Sequence, residues 1–297
     1  MLTEHISPRF VDLDSWSTAD MIAAMYDGQI AACAAVRPAL PAINAAADDA
    51  VAALKRGGRL VYVGAGTSGR LAIQDGAELR PTYGWPSDRI VFVMAGGMPA
   101  LLQSVEGAED DEEKGAEAIA DAEVGEYDVV IAVAASGTTP FTIGALRCAG
   151  ARGAVSIAVA NNRGAPLLEL ARHRILIETG TEVLAGSTRM QAGTAQKIVL
   201  NLFSTAVMVK LGRVYRGLMV GMRASNTKLL RRAEVIVSQI VGCAANDAAR
   251  FVQRADGDVK VAVLLGLGWE QTEAIEALRK HEGNLRSVIN ELAHDPT

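Results

Sequence analysis

The run Arg59-Leu60-Val61-Tyr62-Val63-Gly64-Ala65-Gly66-Thr67-Ser68-Gly69-Arg70 decides how this chain folds. Four apolar residues, two of them β-branched, stop at a glycine and give way to small residues and hydroxyls. An apolar run of that length, closed by glycine, reads as a buried strand of a parallel sheet turning sharply into a helix. The same alternation recurs downstream. Strand-like runs at 90–94, 128–133, 154–159 and 173–177 are separated by helix-compatible segments at 68–79, 110–122, 139–151 and 165–171. Strands alternating with helices at this spacing predict βαβ units, hence an α/β fold with a five-stranded parallel sheet between helical layers.

On either side of that core the pattern is helical. The first 57 residues offer a cap at Thr18-Ala19-Asp20 and a second alanine-rich stretch at 41–55. Helical spacing returns over 190–211. Beyond Gly217 the segments 228–241, 246–252, 259–265, 271–279 and 284–292 read as short helices split by Gly or Asp. The expected organisation is an N-terminal helical segment at 1–50, an α/β domain at 51–220 and a helical module at 221–297.

Composition narrows the function. Of 297 residues, 50% are hydrophobic and 21% charged, which excludes a disordered tail and a coiled-coil rod. Twenty-nine basic residues against 34 acidic ones leave no basic excess for nucleic acid. Cys33, Cys148 and Cys243 are too far apart for a CxxC metal site and are expected to fill core space as small hydrophobes. The histidines His5, His173, His281 and His294 have no ligand spacing, so no metal is expected. The N-terminus lacks a charged region followed by an apolar one. The most membrane-like run, 203–222, is broken by Lys210, Arg213 and Arg216, so no span and a cytoplasmic location are expected.

Two strand-to-helix turns carry the chemical signal, Gly64 to Arg70 and Ala134-Ala135-Ser136-Gly137-Thr138-Thr139-Pro140. In open α/β sheets such turns sit at the carboxyl ends of strands, where ligands bind. Small residues admit an anion to the backbone, the helix N-terminus supplies N–H groups, and hydroxyls add donors. Two such turns point to a phosphate. The first matches GxGxxG, but the second strand ends Met94-Ala95-Gly96 without the acid that a dinucleotide ribose needs. Neither turn continues as GK[ST], so a P-loop is excluded. Three groups of acids remain open on the residues alone: Glu78, which reads as a solvated helix residue; Glu106 to Glu113, which reads as an acidic helix start suited to the dipole; and Glu182, in a Gly/Ser/Thr-rich loop.

The two turns resemble the phosphate turns of the sugar isomerase (SIS) fold. Pro81-Thr82-Tyr83-Gly84, Val105-Glu106-Gly107-Ala108-Glu109-Asp110-Asp111 and Gly186-Ser187-Thr188-Arg189-Met190, continued by Gln191-Ala192-Gly193-Thr194-Ala195-Gln196-Lys197, narrow the match. Together they resemble the N-acetylmuramic acid 6-phosphate etherases over nearly the whole chain. The resemblance implies cleavage of a lactyl ether without cofactor, metal or nucleotide. It implies Glu78 as general acid and Glu109 as base, with Thr67, Ser68, Ser136 and Thr139 on the phosphate. Gly66, Gly137, Thr138, Glu182, Arg189 and Lys228 are further candidate contacts, and Lys197 is a third cation eligible for the lactyl carboxylate. It further implies a homodimer with the site near the subunit interface, and a tail like a ubiquitin-associated three-helix module. Two departures stand out: Thr138 where the family usually carries Arg, and Gly76-Ala77-Glu78-Leu79-Arg80 where it has Ala-Ser-Glu-Cys-Pro. A non-catalytic sensor of the glucokinase regulatory type and an aldose–ketose isomerase are the competing readings.

Overall fold

The computed structural model describes residues 1–224 and 226–294. It divides into two compact units: Met1–Ala77 with Asp88–Ser204, and Glu78–Ser87 with the chain from Thr205 onward.

The first unit is built on five strands, β1 (Leu60–Gly64), β2 (Ile90–Met94), β3 (Val129–Val133), β4 (Val155–Ala160) and β5 (His173–Leu176). They form one parallel sheet in the order β2-β1-β3-β4-β5. β1, β3 and β4 are buried along their whole length. That is why their sequences run continuously apolar instead of alternating. The helices are α1 (Thr18–Ala35), α2 (Leu40–Lys55), α3 (Gly66–Tyr83), α4 (Glu112–Asp121), α5 (Pro140–Ala151), α6 (Pro166–Leu170) and α7 (Gln191–Lys210). On one face Val61, Val63, Val130, Ala132 and Ala158 pack with Ile119 of α4, Phe141, Leu146 and Ala149 of α5, and Leu167 of α6. The alternate residues point to the opposite face. There α2 packs on β3, β4 and β5, burying Ile43, Ala46, Ala50 and Leu54 at helical spacing. Three layers result, the sandwich expected of the SIS fold.

The second unit holds α8 (Thr227–Val241), α9 (Ala245–Arg254), α10 (Val259–Gly266), α11 (Gln271–Lys280) and α12 (Leu285–His294). Its core joins Ile236 and Val237 of α8, Val252 of α9, Val263 and Leu264 of α10, Ala274 of α11 and Val288 of α12. α10 is buried over nearly its whole length, and Asp258 caps it by accepting from the amides of Lys260 and Val261 at 2.9 and 3.1 Å. Leu79 and Trp85 of this unit are each 2% exposed.

Two expectations need correcting. Cys33 is exposed, while Cys148 and Cys243 are only half-buried, so none is a full core residue. Among the described residues, the helical stretch long and apolar enough to cross a membrane is 18–55 rather than 203–222. Alanine explains the misjudgement, because α2 uses its apolar side on the sheet, whereas Ile22, Tyr26 and Ile30 of α1 are 58, 65 and 53% exposed.

The base of the sheet is held by Asp128, which opens β3. It accepts from the Arg59 amide at 2.8 Å, from Arg59 Nε and Nη2 at 3.2 and 2.7 Å, and from the Gly125 amide at 3.0 Å. Burial disfavours its charge, but the Arg59 side chain and the two amides outweigh it and hold the carboxyl below its usual range. A carboxylate depressed in the folded state stabilises above its unfolded pKa, and loses that contribution as pH falls through the folded value. Asp128→Asn is therefore expected to cost about 2 kcal/mol at pH 7. Urea titrations should show the gap to the unsubstituted protein closing below about pH 4.

Candidate functional site

The strand order places a topological switch between β1 and β3, because the chain runs outward from β1 in one direction to β2 and in the other to β3. Ligands of open α/β sheets bind at the carboxyl edge beside such a switch. The two hydroxyl-rich turns follow β1 and β3.

In the first turn Gly66 takes a left-handed φ of +51° and α3 begins at once. Ser68 is 8% exposed, and Thr67 is half-buried. Thr67 lines a cavity of about 420 Å³ together with Ala65, Gly66, Arg70, Met94 and Glu109. That volume suits a monosaccharide phosphate. Among the described residues of the lining Arg70 is the one cation, and Glu106 and Glu109 are its carboxylates.

Glu109 reaches this cavity on a long connection after β2. The chain turns at Gly96, whose φ is +79° and whose added Cβ would lie 2.8 Å from Cβ of Val105. It then forms a 3-10 turn over Met98–Leu101 and another over Ala108–Asp110, where Glu109 is exposed. Ala108 packs against the sheet core. The acidic run thus splits by role. Asp111 caps α4, accepting from the Lys114 amide at 3.0 Å, and Glu112 and Glu113 occupy the first turn, as the dipole favours. Glu109 stands outside the helix and lines the cavity.

The second turn is pinned from behind. Ala135 O accepts from the Asn161 amide at 3.0 Å and from Asn162 Nδ2 at 2.9 Å. Ser136 Oγ accepts from the Thr138 amide at 3.1 Å, so part of its capacity stabilises the turn itself. Gly137 has φ +67° and faces Ala165, where a Cβ would come within 2.4 Å. Thr139 stands at the N-cap of α5 without a side-chain cap bond. Thr138 is exposed. These residues form their own turn and are not part of the cavity lining.

The remaining candidates lie elsewhere. Glu78 is exposed on α3 and counts with the second unit, as does the exposed Lys228 at the start of α8. Arg189 is exposed. Lys197 Nζ donates to Asn201 Oδ1 at 2.6 Å. Glu182 is 1% exposed, and its carboxylate accepts from the Gln191 and Ala192 amides at 2.9 and 2.8 Å. It satisfies the first free N–H groups of α7, a helix cap supplied from a preceding loop.

Sequence reasoning missed two residues. Asp75, one turn before Glu78, is 4% exposed and accepts from Tyr62 Oη at 3.0 Å, Asn201 Nδ2 at 2.6 Å and Ser204 Oγ at 3.1 Å. Burial raises its pKa, and the three hydrogen bonds and Lys197 offset part of that rise. It joins β1, α3 and α7 in a single polar knot. Its only sequence signal was an acid on an otherwise small and apolar helix face. Arg70 closes a glycine motif, and the sequence shows no partner for its side chain.

The Glu182 cap has a measurable consequence. Glu182→Gln turns one acceptor into an amide donor facing a backbone N–H, so a loss of roughly 1–3 kcal/mol in urea unfolding is expected. A residue that only touched substrate would leave stability unchanged.

Comparison with family models agrees with this architecture. Residues 42–150 match the glucokinase regulatory protein N-terminal SIS domain family, and residues 110–206 match the SIS domain family. Among solved structures, a phosphoheptose isomerase from Francisella tularensis superposes with a TM-score of 0.46 at 16% identity, covering 65% of this chain and 100% of that one. An N-acetylmuramic acid 6-phosphate etherase of Deinococcus radiodurans is 48% identical over 290 residues, 97% of this chain and 95% of its own. One from Actinobacillus succinogenes is 42% identical, again over 97% and 95%. With identity of this level running through both units, the chain belongs to the N-acetylmuramic acid 6-phosphate etherase family.

Proposed function

We propose that this protein is a carbon–oxygen lyase that cleaves the D-lactyl ether of N-acetylmuramic acid 6-phosphate, giving N-acetylglucosamine 6-phosphate and D-lactate in cell-wall amino-sugar recycling. The observation that carries the reading is 48% and 42% identity, each over 97% of this chain, to etherases of two bacteria. The cavity bringing Thr67 and Glu109 together at the carboxyl edge of the sheet supports it.

The reaction needs little beyond two carboxyl groups. In the ring-opened sugar the C2 proton is α to an aldehyde and therefore acidic. Glu109 removes it, and Glu78 in its protonated form delivers a proton to the lactyl oxygen leaving C3. Water then adds across the C2–C3 double bond. The phosphate is held by Thr67, Ser68, Ser136 and Thr139 with the amides that open α3 and α5, which fixes C2 and C3 relative to the acids. Gly66 and Gly137 let the backbone approach; Thr138, Arg189 and Lys228 remain candidate contacts, whereas Glu182 is occupied as a cap.

In this reading the enzyme works as a homodimer in the cytoplasm, with its site near the subunit interface. The apolar face Ile22, Tyr26, Ile30 of α1 supports self-association, since an exposed stripe of that kind gains by being covered. Three cysteines outside any disulfide fit a reducing compartment. The match of residues 42–150 to the glucokinase regulatory family keeps one rival, a non-catalytic sugar-phosphate sensor.

D-lactate assay decides between them. Incubation with N-acetylmuramic acid 6-phosphate is expected to release D-lactate, and Glu78→Gln and Glu109→Gln are each expected to reduce release by about 10²–10⁴-fold. Both variants should keep an unchanged circular dichroism spectrum and melting temperature. Sugar-phosphate binding without lactate release would favour the sensor.

A further inference from the structure

Arg70 and the connection that carries Glu109 are joined by contacts that the proposed chemistry does not use. Arg70 sits one turn beyond Thr67 on α3, so both side chains belong to one helix face and line one cavity. Its Nε donates to the carbonyls of Ala100 and Leu101, each at 3.1 Å, and Nη2 reaches the carbonyl of Gln103 at 3.5 Å. All three acceptors lie where the connection leaves its first 3-10 turn and starts back toward Glu109. Below them Ala100 and Val105 close over Gly96, where no Cβ fits. A guanidinium spans several carbonyls at once, because its donors are fixed in a planar fork; an ammonium is a single point.

From this geometry we propose that Arg70 is a positioning residue for Glu109: it ties the 98–110 connection to the first turn of α3, and so fixes the distance between base and phosphate. The inference rests on the reading of Glu109 as the base. The physical reason is direct. The segment has few buried apolar anchors, with most of residues 101–110 exposed. Ala108 holds its far end on the sheet core, and Arg70 holds its near end. Released at the near end, Glu109 would sample many positions, and a misplacement on the order of 1 Å costs about 10²-fold in rate.

The test compares Arg70→Met and Arg70→Lys with the unsubstituted enzyme by amide hydrogen exchange and by steady-state D-lactate release with substrate carrying protium or deuterium at C2. In Arg70→Met, exchange is expected to accelerate over residues 98–110 while β1, β3 and β4 keep their protection. kcat should fall about 30–100-fold with KM changed less than about threefold, and the C2 isotope effect on kcat should rise, because proton removal becomes the slow step. Arg70→Lys, which replaces the fork by one donor, should fall between the two in every reading, and it carries the test if Arg70→Met does not fold. Unaltered exchange over 98–110 would overturn the proposal. So would a tenfold rise in KM at constant kcat, which marks a substrate contact, or a fall in kcat at constant isotope effect, which marks a loss of folded protein. If the unsubstituted protein releases no D-lactate, the functional reading fails, while the exchange data still decide whether Arg70 holds the connection.

Discussion

At Gly64 and Gly69 the end of β1 and the first turn of α3 come so close that neither tolerates a side chain. A Cβ on Gly64 would lie 2.7 Å from Cα of Gly69, and one on Gly69 would lie 2.4 Å from Sδ of Met94 and 2.8 Å from the Gly64 carbonyl carbon. This approach sets α3 directly on the carboxyl edge of the sheet, and much of the candidate site follows from it. The helix N-terminus meets the edge with its N–H groups free, and Thr67 and Arg70 fall on its cavity side. Arg70 then grips Ala100, Leu101 and Gln103, and the connection delivers Glu109. A methyl group on either glycine would move the helix, and everything that hangs from it.

Environment, rather than residue type, sorts the carboxylates. Asp128 is clamped by Arg59 and two amides at the base of the sheet. Asp75 lies buried among Tyr62, Asn201 and Ser204, and Glu182 and Asp111 cap helices. Each is engaged by the fold, and the fold would suffer if they were used in chemistry. Glu109 differs in being exposed at the edge of a cavity, beside Ala108, which packs on the sheet core. A base that must receive a substrate proton needs that freedom, provided the backbone beneath it is held.

The sheet could be read from the chain nearly residue by residue, since its buried parallel strands β1, β3 and β4 are continuous apolar runs, and β1 and β3 end at turns of small residues. β2 and β3 sit where those runs predicted, at Ile90–Met94 and Val129–Val133, and the five short helices of the tail lie within one or two residues of expectation. What escaped was non-local. Glu182 as a cap depends on a loop folding back nine residues onto α7. Arg70 depends on carbonyls 30 to 33 positions away. Alanine misled in the other direction: Cys33 lies among alanines, yet it is exposed beside Ala31 and Ala34 while Ala32 is buried. Periodicity reports which side of an element is apolar, and says nothing of what covers it.

The two turns also differ in what they can offer an anion. At the first, Arg70 supplies positive charge close to the cavity, though part of it is committed to three carbonyls. At the second, Thr138 is exposed and uncharged, and Pro140 at the first position of α5 removes one N–H. A phosphate there would meet the remaining helix amides, the uncommitted Thr139 hydroxyl, and whatever capacity Ser136 Oγ keeps beyond the Thr138 amide. Neutral donors arranged around a dipole can hold a dianion, but each must be aimed. The pins behind this turn supply the aim: Asn161 and Asn162 on the Ala135 carbonyl, and Ala165 packed against Gly137. The connection that follows β4 thus holds this turn, and its donors are neutral.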